Sequence, residues 1–358
     1  MRISAIGPEG LDAFIELGYR LQRDDPAWVP PLRQQLVFEL SGASELASYA
    51  QQQLFVCERD GQMIGRVAAM VNSKLADSAG APLGQLGYFE CVDDETVATA
   101  LFEAGAAWLR ERGCRQLLAP MNGGAHRLHR LMVRGFASEP FLFEPRNPAY
   151  YPRLFEAWGM RPAHRWFSYQ LDAAAIDKLA GRFGRVVDAR PLPGRLEAMD
   201  PRDLPATLVR LHGLLDDFWN GHVGYASLSL AEFGEAFGGA LAVMTRYNLC
   251  LYHEEGRDLG CAFMYPDHVE EARKLAGDAA GWARWMNGPM PKRMIMHTLA
   301  LRPEVRTTPV PMALMECGLI KLRIDGYDQL IVALAVEGLL GKQLGEPTRE
   351  YVLYGRTL

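Results

Sequence analysis

The sequence has no Cys-x-x-Cys pair, no long apolar run and no excess of basic charge, and each absence removes a class of protein. Its six cysteines, Cys57, Cys91, Cys114, Cys250, Cys261 and Cys317, are scattered and mostly sit in apolar stretches. That spacing excludes a disulfide scaffold, a zinc ribbon and a thioredoxin-like redox motif, and it fits reduced core thiols in a cytoplasmic protein. No stretch of about 18 apolar residues is present to cross a bilayer, and the N-terminus lacks the apolar core of a signal peptide. A cytoplasmic location is therefore expected, with no membrane partner. The formal net charge of −5 carries no overall nucleic-acid footprint. What is present is ordinary for a soluble protein: 358 residues, 49% hydrophobic and 23% charged, enough for two domains.

The order of elements suggests that the chain says the same thing twice. Arg2–Ile6 alternates like a strand, and Pro8–Arg23 carries Leu11, Phe14, Ile15 and Leu21 at helical spacing. Arg33–Tyr49 reads as a second helix. Leu54–Glu58 and Met63–Val71 flank Asp60-Gly61 as a hairpin. Gln85–Val92 is a fourth strand, and Asp93 or Asp94 caps a helix over Glu95–Arg112 that Gly113 stops. Cys114–Pro120 follows as a strand, Asn122–Pro145 as an irregular segment, Asn147–Trp158 as a short helix and Arg165–Leu171 as a last strand. The series then restarts: a strand at Arg185–Pro193, helices at Asp203–Trp219 and Ser229–Val243, and a hairpin of Leu249–His253 and Leu259–Tyr265 around Glu255-Gly256. A helical insertion covers Val269–Met286. Met294–Leu301 is a buried strand, a helix opens at Pro309 and runs to Ile324, and strands follow at Tyr327–Val336 and Tyr351–Leu358. Two local echoes agree with a duplication: residues 54–66 with 250–262, and RWFSYQL at 165–171 with REYVLYG at 349–355. The boundaries expected are a first domain at 1–172, a linker at 173–184 rich in small and charged residues, and a second domain at 185–358.

The stretch Met294–Met315, MIMHTLALRPEVRTTPVPMALM, joins a strand, a polar loop and a helix N-terminus. Backbone N–H groups around Val310 and the positive end of the helix dipole make it a candidate anion cradle, to which Arg302, Arg306, Thr307 and Thr308 add charge and donors. A capped junction with no ligand is the alternative. The stretch also resembles the acyl-CoA loop of the GNAT acetyltransferase superfamily, in which a strand runs through a Pro into an Arg/Gln-x-x-Gly-x-Gly/Ala loop and a helix. Leu301, Pro303, Arg306, Pro309 and Pro311 occupy the matching positions, with prolines in place of both glycines, so two N–H donors to a diphosphate are missing. In the first half NPAYYPRLFEAWGM, from Asn147, is similar to the family's Asn…Tyr-x-x-x-Gly-Phe element. There Asp93-Asp94-Glu95 follow the fourth strand directly, and three carboxylates oppose a diphosphate.

This resemblance implies an α/β fold of two tandem GNAT-like domains, each a mixed, mostly antiparallel sheet flanked by helices. It implies an acyltransferase moving an acyl group from acyl-CoA, acetyl-CoA by default, to an amine of a small molecule or peptide. The donor would sit on Leu301, Arg302, Arg306, Thr307, Thr308 and Val310 of the second half, and no metal is implied. His297, four residues before the strand ends, and Glu90 on the first half's fourth strand are candidate bases. Phe155 stands where the family often has an acidic tyrosine, and Tyr150 or Tyr151 one turn earlier is a candidate to protonate the leaving thiolate. The aromatic, Gly-rich segment Phe218–Tyr225 offers Trp219, His222 and Tyr225 to the acceptor. Each has a plain structural reading as a packed core or connecting residue. His126 and His129 share helical spacing but lack a third ligand for a metal. Alternatives stay open: a degenerate, non-catalytic pair that binds a small molecule or protein, or a transferase whose donor partner is acyl-carrier protein or aminoacyl-tRNA, the latter through a basic patch of Arg127, Arg130 and Arg134. The sequence leaves the oligomeric state open.

Overall fold

The computed structural model describes the chain apart from residues 201, 239–240, 242–245, 286–287 and 339–343. Its thirteen described strands form one continuous sheet, in the order β1-β2-β3-β4-β5-β13-β7-β12-β11-β10-β9-β8, with β6 pairing β13 to one side. The first-half strands are β1 (Arg2–Ile6), β2 (Ala50–Arg59), β3 (Gln62–Ala76), β4 (Pro82–Cys91), β5 (Gln116–Ala119), β6 (Leu131–Arg134) and β7 (Arg161–Asp172). The second-half strands are β8 (Arg195–Ala198), β9 (Asn248–Glu254), β10 (Arg257–Pro266), β11 (Arg293–Leu301), β12 (Gln329–Val336) and β13 (Arg349–Thr357). Pairing is antiparallel except for β4 with β5 and β11 with β12. The expected mixed, mostly antiparallel sheet is therefore present.

The halves exchange their last strands. β7, from the first half, pairs with β12 of the second, and β13, at the C-terminus, pairs with β5 and β6 of the first. The two then pair with each other, Trp166 opposite Tyr351 and Arg165 opposite Val352. The echoing segments at 165–171 and 349–355 thus meet at the middle of the sheet.

Helices cover both faces. α1 (Leu11–Gln22) buries Phe14, Ile15, Leu17 and Gly18. A side chain at Gly18 would lie 2.9 Å from the Arg66 guanidinium, so only glycine lets the helix sit that close to β3. α2 (Arg33–Leu40) ends before Gly42, whose φ is +84°, and a short 3-10 turn follows. The helix expected over Arg33–Tyr49 is therefore broken in two. α3 (Glu95–Arg110) is capped by Asp94, which accepts from the N–H groups of Thr96 and Val97. With α4 (Tyr151–Ala157) it packs Phe102, Phe155 and Trp158 against Phe89.

The strand expected at Arg185–Pro193 is instead the end of α5 (Ala173–Ala189). Asp172 caps that helix by accepting from Ala175 N, and the Ala-rich first turn is a strong helix former. Ile176, Leu179 and Phe183 bury one stripe, and α5 packs on α10 (Val310–Ile324). Residues 173–184 lie within α5, and the strand that opens the second series is β8, at Arg195–Ala198. α6 (Leu204–Trp219) matches expectation, and α7 (Leu230–Phe233) follows. The segment expected to be irregular at Asn122–Pro145 contains β6. The insertion expected at Val269–Met286 divides at Gly277, φ +87°, into α8 (Val269–Lys274) and α9 (Ala279–Trp285). Val243 and Met286, at the ends of two expected helices, lie outside the described residues. No described helix is long and apolar enough to cross a membrane.

Buried ion pairs tie the exchanged parts together. Arg349 Nε on β13 lies 3.0 Å from Glu144 Oε1, with both side chains almost fully enclosed. The Tyr351 hydroxyl donates to the same carboxylate at 2.7 Å. Nearby, Arg293 Nε donates to Asp267 at 2.6 Å, and Asp267 also accepts from Leu142 N at 2.9 Å. Breaking a buried pair strands the remaining charge, which costs about 3–5 kcal/mol. Glu144→Ala should therefore lower unfolding stability by about that much in urea, and Glu144→Gln with Arg349→Met should recover part of the loss.

Candidate functional site

Two parallel strand pairs set up two equivalent clefts. In the second half β11 and β12 pair only from Arg293–Gln329 to Met296–Val332, then part. The parting has a visible cause. The register of β11 against β10 slips by one between Met296 and Thr298, so His297 has no partner in that ladder and forms a bulge. β12 shows its own register shift between Val332 and Ala335, with Leu334 at φ +58°. Bulges re-aim side chains and interrupt pairing, and they gather beside active sites. Between the diverging strands lies a wedge lined by His297, Leu299 and Leu301 on one side and Ala333, Leu334 and Ala335 on the other.

The first half repeats this plan and then closes it. β4 and β5 pair from Leu83–Gln116 to Gln85–Leu118, and β4 carries a register shift beside Tyr88, φ +48°. The wedge that should follow is filled by the chain itself. Met121 N donates to Leu86 O at 2.8 Å, and Tyr88 N donates to Asn122 Oδ1 at 2.8 Å. A side chain at Gly87 would sit 2.4 Å from both Asn122 Oδ1 and Met121 O. Glycine at 87 and the Asn122 amide are thus what plug the cleft, and neither announces that role in the sequence.

The open wedge leads into a cavity of about 1500 Å³ between the halves. Ordinary ligand pockets span roughly 300–1,000 Å³. Met296, Leu299, Met312 and Met315 give it an apolar, adaptable wall on the second-half side. His297 presents its ring to this cavity, 5.9 Å from the Tyr265 ring, with Nδ1 2.8 Å from Thr298 Oγ1. Its side chain is open to the cavity, yet the surrounding protein thins its solvation, and this, followed by the charge of Arg130, lowers its pKa to about 4. It is therefore a neutral imidazole near pH 7, able to accept a proton but weakly basic.

Glu90 and Tyr151 come together, as the sequence suggested separately. The Tyr151 hydroxyl donates to Glu90 Oε2 at 2.7 Å and accepts from Cys91 N at 3.1 Å. Gln22 Nε2 reaches both Glu90 oxygens at 2.9 and 2.8 Å, and Arg66 stands 3.8 Å away. Burial first, then the Glu90 charge, push the Tyr151 phenol well above its ordinary range. Tyr150 donates to Cys91 O at 2.7 Å, and Phe155 is packed core. Glu90 and His297 line the same cavity but sit on strands five steps apart, about 24 Å along the sheet at ~4.8 Å per strand. They cannot serve one reacting atom.

Around the loop after β11, Arg302 is held by Asp217 and by Asp258 O. The N–H groups of Val305, Arg306, Thr308 and Met312 bond within the loop or to Pro309 O. Val310 N is taken by Thr308 Oγ1, and Pro309 and Pro311 have none. Of the six residues proposed there, Leu301 and Arg306 face the cavity. Arg306 Nε donates to Leu301 O at 3.1 Å, leaving its terminal nitrogens toward the cavity mouth. Thr307 is exposed and Val310 is core.

Trp219, His222 and Tyr225 all line the cavity, because the segment after α6 reaches across to the first half. Ala125 N donates to Gly224 O at 2.8 Å, and His126 Nε2 lies 2.9 Å from Ala226 O, with its ring against Tyr225 and Trp219. His129 Nδ1 lies 2.9 Å from Arg127 O. Both histidines are therefore bound to backbone carbonyls, and burial lowers the pKa of each. The basic cluster is divided: Arg134 is exposed and stands 3.5 Å from Glu350, Arg127 is half-buried 3.7 Å from Glu39, and half-buried Arg130 lines the cavity.

A direct check of the His297 environment is available by NMR. Its ring should stay neutral from pH 8 to pH 5, titrating near 4, whereas an unperturbed histidine titrates near 6.5.

No protein-family model matches the chain. Among curated proteins it is 27% identical over 282 residues to a bacterial ceramide synthase from Caulobacter vibrioides, covering 77% of this chain and 73% of that one. It is 25% identical over 284 residues to Protein YghO from Escherichia coli K12, covering 76% and 70%. A tandem GNAT protein from the clavulanic acid biosynthesis pathway superposes with a TM-score of 0.56 at 14% identity, over 99% of this chain and 98% of its own. A GCN5-related glucosamine N-acetyltransferase region of a fungal multi-domain β-N-acetylglucosaminidase gives 0.55 at 15% identity, over 99% of this chain and 38% of that protein. A probable N-acyltransferase from Enterococcus faecalis V583 gives 0.54 at 12%, over 99% and 72%. The chain has the fold of the GNAT N-acetyltransferases in its tandem form, with both units built into a single sheet.

Proposed function

We propose that the protein is an N-acyltransferase that takes a long-chain acyl-CoA into the open wedge of the second half and delivers the acyl group to a lipophilic amine. The contrast between the two wedges carries this reading: one is plugged by Met121 and Asn122, the other opens into a large apolar cavity. An extended pantetheine arm fits a gap between parted strands, and the methionine-rich wall suits a flexible hydrocarbon chain. The likeness to a ceramide synthase points the same way, since a ceramide is the amide of a fatty acid with a long-chain amino alcohol.

In this scheme the amine nitrogen attacks the thioester carbon, the C–S bond breaks, and the thiolate leaves with a proton. Neutral His297, directly or through one water, takes the proton from the attacking amine and passes it to the departing thiolate. The bulge leaves backbone polar groups outside the ladder, where a donor can meet the developing oxyanion. Arg306 offers its terminal nitrogens to the diphosphate. Trp219, His222 and Tyr225 shape the acceptor end, and the Glu90–Tyr151 pair closes its far side.

The internally bonded loop favours a second reading, a protein that uses an acyl-carrier protein as donor or binds without turnover, since few N–H groups remain for the nucleotide part of CoA. The two separate in a melting experiment. A ligand at one hundred times its dissociation constant adds about 2.7 kcal/mol. Palmitoyl-CoA is expected to raise the melting temperature more than acetyl-CoA, and Arg306→Glu to remove the shift. No shift with any CoA species would sink the acyl-CoA reading. With a long-chain amino alcohol as acceptor, His297→Ala should lower kcat by about 10²–10⁴ and leave acyl-CoA binding intact.

A further inference from the structure

Arg130 is a half-buried cation with no described carboxylate to hold. Its guanidinium stacks over the Trp166 ring at 4.6 Å, and its Nε is enclosed and without a hydrogen-bond partner. Enclosed arginines elsewhere have carboxylates close by: Arg66 with Glu90 at 3.8 Å, Arg146 with Glu144 at 3.7 Å, Arg349 with Glu144 at 3.0 Å, and Arg293 with Asp267 at 2.6 Å. No described carboxylate lies within ion-pair distance of Arg130. The group that most affects it electrostatically, Tyr351, gives its hydroxyl to Glu144. Burial pulls the Arg130 pKa down to about 9, which still leaves it charged at neutral pH.

A half-buried guanidinium that faces a cavity from an aromatic ring, with no carboxylate beside it, keeps its fork of donors free for an anion. Position suggests what it is kept for. Arg130 lines the central cavity, its neighbour Leu131 begins the strand that pairs with β13, and its stacking partner Trp166 lies opposite Val336 of β12, one wall of the open wedge. Its field reaches His297, whose pKa it depresses. Arg130 and His297 thus line one cavity, close enough for the charge of one to bear on the other.

We propose that Arg130 forms an anion subsite for the acceptor, so that the amine acylated here carries a carboxylate or phosphate close to its nitrogen. This rests on the acyltransferase reading above for the word acceptor, but the subsite itself does not depend on turnover. A guanidinium offers a planar fork to an oxyanion, and the Trp166 face fixes that plane. Specificity then follows from the unpaired charge: a neutral amine leaves the cation without a partner, whereas an anionic one supplies it.

The test compares the full-length protein with Arg130→Gln and Arg130→Lys. Three single-chain amphiphiles serve as probes: sphinganine, sphinganine 1-phosphate and N-terminally free 2-aminohexadecanoic acid. Melting shifts and, with palmitoyl-CoA, kcat and KM are measured for each. Wild type should favour one or both anionic amines over sphinganine by tenfold or more in kcat/KM. The phosphate and carboxylate arms tell which oxyanion is accommodated. Arg130→Gln should erase that preference through KM and leave the palmitoyl-CoA melting shift unchanged. Arg130→Lys should keep the charge and recover only part of the preference, lacking the fork.

Equal use of all three amines by wild type would overturn the proposal. So would loss of the palmitoyl-CoA shift in Arg130→Gln, which would put the guanidinium on the donor. If no amine is acylated, the acyltransferase reading fails on its own. The subsite is then upheld by stabilisation of wild type, but not Arg130→Gln, by hexadecyl phosphate or palmitate, and refuted by its absence.

Discussion

The exchange of β7 and β13 is the constraint on which the rest of the structure depends. Each strand follows its own half in sequence and hydrogen-bonds into the other half's sheet. Because they also pair with each other, the two sheets become one, and their facing ends enclose the cavity. The segment between β6 and α4 must then cross the junction through apolar surroundings. Glu144 and Asp267 hold it there, against Arg349 and Arg293. Low local dielectric makes these pairs strong when complete and costly when broken, so they fix one arrangement more than they add net stability.

Much of the local structure was legible in the sequence. The hairpins at Asp60-Gly61 and Glu255-Gly256, the Asp94 cap and the strand–loop–helix from Met294 to Ile324 follow from turn chemistry and periodicity, which act over a few residues. The exchange was not legible, because an alternating strand looks the same whichever sheet it joins. The α5 misreading has a different origin. Small and charged residues at 173–184 resemble a linker until α10 supplies the surface that Ile176, Leu179 and Phe183 cover.

The candidate site shows the same divide. His297 was singled out as a histidine in an apolar strand, but the one-residue slip that turns it into the cavity depends on β10, some thirty residues earlier. Glu90 and Tyr151 were separate suggestions that folding joined into one hydrogen bond. Arg130 reads in the sequence as part of a basic run, since charge is visible there and a position over Trp166 at the cavity is not. That Pro309 and Pro311 offer no N–H is plain in the letters. What the letters do not disclose is that the N–H groups of Val305, Arg306, Thr308 and Met312 turn inward on Arg302, Pro303, Val305 and Pro309.

The plug at Asn122 has a consequence for how much the molecule can hold. Both halves carry the same parted strands and the same interrupted ladder, yet Asn122 and Met121 occupy one gap as permanently as an inhibitor would. Among the described residues, two parallel strand pairs of the same plan thus leave one open wedge, and saturation on the proposed reading comes at one equivalent per polypeptide. The filled wedge adds walls to the cavity without adding to its capacity, and its side chains face whatever enters from the other.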